Sequence, residues 1–165
     1  MLSVFDAFRD VTLGTTLFRL LIAILCGMAV GLERSYKNRP AGFRTHVLVS
    51  VGACIASLTG LYLYLNAALP TDMSRIGAQV ISGLGFIGAG TIIVTKKNTI
   101  KGLTTAAGLW VCGVIGLAAG AGFYEGAILT TLLVLFTEIA LGALGLRIQH
   151  QPEFQVIIHY NHMLQ

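Results

Sequence analysis

Five apolar stretches, residues 17–32, 47–69, 76–95, 103–123 and 126–146, follow one another with only short polar connections between them. A helix of about 20 such residues crosses roughly 30 Å of hydrocarbon. Inside a bilayer the backbone must also satisfy its own hydrogen bonds, which favours helices. The pattern predicts an all-α polytopic membrane protein with five transmembrane helices within residues 1–146. Composition agrees: 55% of the residues are hydrophobic, 11% are charged, and the mean hydropathy is +0.80. Soluble domains carry roughly 25% charged residues. A chain this apolar has too little polar surface to stay in water.

The few charges set the orientation. The first connection carries Arg34, Lys37, Arg39 and Arg44, and the third carries Lys96, Lys97 and Lys101. The second has only Arg75, and the fourth has no cation. An excess of lysine and arginine marks cytoplasmic loops. The N-terminus is therefore expected outside and the C-terminus, from Arg147, inside. The net charge of +4 is spread over the ends of apolar runs, so no nucleic-acid partner is expected. Arg19 is close enough to the start of the first span to snorkel outward. Residues 1–16 hold Asp6, Arg9 and Asp10 and lack a basic region followed by a cleavage motif, so the first span is expected to serve as the insertion signal. Cys26, Cys54 and Cys112 each lie in an apolar run without ligand spacing. They read as small buried hydrophobes, and neither a metal nor a cofactor is expected. Residues 147–165 form a cytoplasmic tail, in which Phe154 to Tyr160 has the β-branched and aromatic content of a strand.

A shift of 60 residues reveals a candidate internal repeat. It aligns Lys37 with Lys97, Asn38 with Asn98, Gly42 with Gly102 and Thr45 with Thr105, among nine identities between Arg19 and Tyr124. The first and third spans run in the same direction, so spans one and two would repeat as spans three and four about an axis along the membrane normal.

Several groups of residues could carry function. Glu33, Arg34, Arg44, Thr45 and His46 lie in the stretch Gly31 to His46 between the first two spans. Glu33 and Arg44 are expected to pair across it, because charges near the interface need partners. Arg34, Lys37 and Arg39 read first as topology markers facing lipid headgroups. In the third span, Gly83, Gly85, Gly88 and Gly90 offer small surfaces for helix packing. The alternative there is a broken helix lining a polar cavity with Gln79 and Ser82. The string GLGFIG in this span satisfies a dinucleotide-binding pattern, but no strand precedes it. Thr104 and Thr105 open the fourth span, where hydroxyls can cap free amides, and Trp110 is expected between helices. Glu138 is the acidic residue well inside a predicted span. Such a carboxylate can be protonated, bonded to a neighbouring helix, or set on an ion path. No Ser/His/Asp set, HExxH motif or Walker loop appears, so enzymatic activity is not expected.

These residues together resemble the MgtC/SapB family of bacterial inner-membrane proteins. The matching segments are GLER at Gly31 to Arg34, AGFRTH at Ala41 to His46, AQVISGLGFIGAG at Ala78 to Gly90 and GLTTAA at Gly102 to Ala107, with Trp110 following. The resemblance covers about residues 17 to 146. It implies several spans, often followed by a cytoplasmic domain of the ACT type, of which Phe154 to Tyr160 would be the start. It also implies links to growth at low magnesium, virulence inside macrophages and restraint of the F-type ATP synthase. The reading is a non-enzymatic inner-membrane regulator acting through protein contacts, expected to be a homo-oligomer, with ATP synthase as a candidate partner. The alternative is a small Mg²⁺ or H⁺ transporter or channel. Mg²⁺ favours carboxylate oxygens, and Glu138 alone offers one at membrane depth.

Overall fold

The structure, a computed structural model, describes residues 5, 7, 9–67, 72–94 and 99–142. It is built from five α-helices: α1 (Leu13–Tyr36), α2 (Phe43–Asn66), α3 (Ser74–Thr91), α4 (Leu103–Gly120) and α5 (Tyr124–Phe136), the last continuing into a π-helical turn, Thr137–Leu141. Two short strands, β1 (Ile93–Val94) and β2 (Ile100–Lys101), form an antiparallel hairpin between α3 and α4. Lys96, Lys97 and the tail from residue 143, including the expected strand, lie outside the described residues.

Helix ends follow local chemistry. Thr12 and Thr15 form a reciprocal capping box at the start of α1, which satisfies two amides that have no partner inside the helix. At the other end of α1, Asn38 takes a left-handed φ of 51°. Its amide bonds to Ser35 O and that of Arg39 to Arg34 O, each at 3.0 Å, the paired bonds of a Schellman motif. Pro40 then bars further helix. Gly122 closes α4 in the same way, with φ 79° and amide bonds from Gly122 to Ala119 O and from Phe123 to Ala118 O.

Several boundaries differ from the sequence expectation, three of them with consequences for the site. The polar stretch Gly31 to His46 is mostly helix: α1 runs on to Tyr36 and α2 begins at Phe43. Glu33 and Arg34 thus stand on the last turns of α1. The third helix ends at Thr91, earlier than expected, because the chain turns extended at Ile92 and enters the hairpin.

Contacts fix the relative helix directions. Gly31 faces Phe43 and Gly27 faces His46 and Ser50, so α1 and α2 are antiparallel. Gly116 meets Ser50 and Gly120 meets Cys54, so α2 and α4 are parallel. Gly88 meets Ala106 and Gly77 approaches Leu117, so α3 and α4 are antiparallel. The core is made of small and medium side chains, among them Ala23, Cys26, Cys54, Ile115, Ala119 and Ala127. Close approach is needed where α4 crosses α2, since a Cβ on Gly116 or Gly120 would strike the carbonyls of Ser50 or Cys54. Glycines therefore do their packing on α1 and α4. On α3, Gly83, Gly85 and Gly90 have nothing within 4 Å, and Gly88 alone of the four rests on a neighbour. Trp110 is 42% exposed and does not sit between helices, because α4 turns Leu109, Cys112 and Gly113 inward instead.

Four helical segments, Leu13–Tyr36, Phe43–Asn66, Leu103–Gly120 and Tyr124–Leu141, are long and apolar enough to cross a membrane. The α3 helix is not among them; Arg75, Gln79 and its many glycines dilute its hydropathy.

Candidate functional site

One end of the bundle gathers four charged side chains. Arg34 is 1% exposed. Its Nε donates to Glu33 Oε2 at 2.5 Å, and its Nη2 pairs with Glu138 Oε2 at 2.6 Å. Lys37 stands 2.7 Å from Glu33 Oε1 and donates to the Glu138 carbonyl at 2.6 Å. Two carboxylates and two cations leave the group neutral. Desolvated charges are tolerated when paired and hydrogen-bonded in this way.

The backbone arranges these meetings. Glu33, Arg34 and Lys37 share the last turn and C-cap of α1. Glu138 lies in the π-helical turn that ends α5, a geometry that widens the backbone and leaves a carbonyl free for Lys37. Gly142 keeps space beside that ammonium, since a Cβ there would lie 3.1 Å from Lys37 Nζ. The carboxylate at membrane depth is thus bonded to a neighbouring helix, one of the alternatives that the sequence left open.

His46 borders this network from the first turns of α2, with no exposed surface. Its Nδ1 lies 2.9 Å from the Gly42 carbonyl. A carbonyl can only accept, so Nδ1 carries the proton and a neutral ring leaves Nε2 bare. Among the described residues Nε2 has no partner; it faces Gly108 of α4, where a Cβ would stand 3.7 Å away. The His46 carbonyl accepts from Cys112 Sγ at 3.3 Å. Thr105 is buried nearby on α4, whereas Thr104 is exposed. Neither hydroxyl caps α4, whose N-cap is Gly102 without a side-chain bond.

The expected pairing of Glu33 with Arg44 is not what forms. Arg44 is exposed and lies over the Phe43 ring, 5.9 Å from its centroid. Because α1 continues past Leu32, Glu33 meets cations of its own helix first. Thr45 is half-buried, and Gln79 and Ser82 are exposed on α3 rather than lining a cavity; Ser82 Oγ bonds back to Ala78 O at 3.3 Å.

Sequence reasoning missed the opposite end. Arg19 does not snorkel outward: it is 1% exposed and donates to Gly120 O at 2.7 Å and to Arg9 O at 2.5 Å. A cation at the last carbonyls of α4 also suits the helix dipole. Beside it, Arg9 pairs with Glu125 at 2.8 Å. The available signal was the Gly120–Gly122 pair, which brings a helix end within reach of a long side chain. Among the described residues no group of three His, Cys, Asp or Glu could hold a metal ion.

Antiparallel and parallel helices of membrane length, with a neutral charge network sealed into one end, define a helical membrane protein. Within that class the chain belongs to the MgtC family, whose model matches residues 20–145. It is 41% identical over 129 residues to protein SapB of Bacillus subtilis (strain 168), covering 73% of this chain and 54% of that one. It is 39% identical over 148 residues to YhiD of Escherichia coli (strain K12), which bears the name of a candidate magnesium transporter, covering 87% and 64%. Protein MgtC of Salmonella typhimurium (strain LT2) is 38% identical over 136 residues, covering 82% and 56%. The chain thus spans between half and two thirds of the length of these relatives. No solved structure gives a significant match.

Proposed function

We propose that this chain is a non-enzymatic protein of the bacterial inner membrane that regulates membrane physiology through protein contacts. The settings are magnesium limitation, acid stress and virulence, and the candidate partner is the F-type ATP synthase. All five helices cross, with the Arg34–Lys37 end in the cytoplasm, since Arg39, Arg44 and Lys101 gather with it there.

The observation that carries this reading is the state of Glu138. A Mg²⁺ path needs carboxylate oxygens free to replace water. Glu138 is instead bonded through Arg34 to α1, and the four-charge group is neutral without an ion. The name of YhiD favours the rival reading, transport of Mg²⁺ or H⁺.

Arg44 offers an exposed cation beside this network and is the docking residue of choice. Solubilised from bacterial membranes, the protein is expected to retain ATP synthase subunits. Arg44→Glu should release them while leaving thermal stability unchanged. Preparations that retain no ATP synthase, or that hold it equally well with Arg44→Glu, would overturn the proposed contact.

A further inference from the structure

The outward face of α3 is unlike the other outward faces of the bundle. Where α1 and α5 face away from the core they present large apolar side chains, such as Leu17, Leu21 and Leu25, or Leu129, Leu133 and Phe136. These suit lipid. The α3 face instead carries Gln79, Gly83, Phe86 and Gly90, spaced four, three and four residues apart and so aligned on one helical stripe. All four are exposed, Phe86 by 85%, and no hydrogen bond of the Gln79 side chain exists among the described residues. An amide left facing hydrocarbon is costly, and in membranes small and polar residues mark helix–helix contacts.

The repeat gives an independent reason to expect a covering helix. Gly42 and Gly102, aligned by the 60-residue shift, are the N-caps of α2 and α4. His46 N bonds to Gly42 O as Ala106 N bonds to Gly102 O. The same shift maps the α3 stripe onto Arg19, Ala23, Cys26 and Val30, all buried on α1. There Ala23 and Cys26 share a core cluster with Ala127 of α5. Among the described residues no helix covers the α3 stripe as α5 covers the aligned stripe of α1.

Resting on the membrane-spanning reading, we propose that a second copy of this chain covers that stripe, α3 pairing with α3 about a twofold axis along the membrane normal. A twofold contact needs one patch that complements itself. The Gln79 amide both donates and accepts, so two copies satisfy each other. Phe86 lies between Gly83 and Gly90, so each stripe carries a projecting ring beside open glycine surface that can receive its partner's.

Gly83 and Gly90 meet nothing within 4 Å in one chain, so a larger side chain there leaves the single bundle intact. The full chain in mild detergent should sediment as a dimer, and Gly83→Leu or Gly90→Leu should sediment as a monomer with unchanged melting. In native membranes, oxidation should join Gln79→Cys chains into a covalent dimer but not Leu25→Cys chains on the lipid face of α1. A monomeric wild type, a dimer indifferent to both leucine variants, or Gln79→Cys joining only to another protein would each overturn the proposal. A monomer that still retains ATP synthase would do so without touching the functional reading.

Discussion

Arg34 shows how far single residues were legible. Its charge, and the need of a charge near the membrane for a partner, followed from the sequence. Its partner did not, because the π-turn that brings Glu138 to it has no signature in the residues around Thr137–Leu141. The Glu33–Arg44 expectation failed for a related reason: helix continuation to Tyr36 offers Glu33 the nearer cations Arg34 and Lys37. A double-mutant cycle on unfolding should therefore give Arg34 and Glu138 an interaction energy above about 0.5 kcal/mol, the threshold that separates coupled from additive sites. The same cycle for Glu33 and Arg44 should be additive. Additivity of the first pair, or coupling of the second, would show that the network is arranged otherwise.

At the scale of elements, hydropathy located all five helices and the start of α4 at Leu103 but missed most of the other ends, which are set by hydrogen bonds. The start of α3 is an example. Asp72 Oδ1 accepts from the Ser74 hydroxyl at 2.6 Å and from the Ser74 amide at 2.9 Å. These bonds, the hydroxyl's first, hold its carboxyl below the ordinary 3.8. A carboxyl lowered on folding contributes stability above its unfolded value and loses it as pH falls through the folded one. The first turn of α3 should fray below about pH 3.8, seen as faster amide exchange after correction for intrinsic rates. Asp72→Asn should remove that pH step; an unchanged step in Asp72→Asn would assign the fraying to another group. The glycines of α3 were read as packing surface; within one chain the tightest helix contacts at glycine are instead those of α1 and α4, because period alone does not tell which face of a glycine-rich helix meets a neighbour of the same chain.

For the whole molecule, the helical membrane class was written in the length and spacing of the apolar runs, and the family in GLER, AGFRTH and the α3 glycine motif. What the sequence could not supply was whether Glu138 stands on a path or in a bond. Paired with Arg34 in a neutral group, its carboxylate is not free to bind a hydrated divalent ion. Reconstitution into liposomes loaded with a Mg²⁺-sensitive dye tests this most directly. The account predicts no Mg²⁺ entry above that of protein-free vesicles, for the wild type and for Glu138→Gln alike. Entry that requires the wild-type protein and disappears in Glu138→Gln would contradict it.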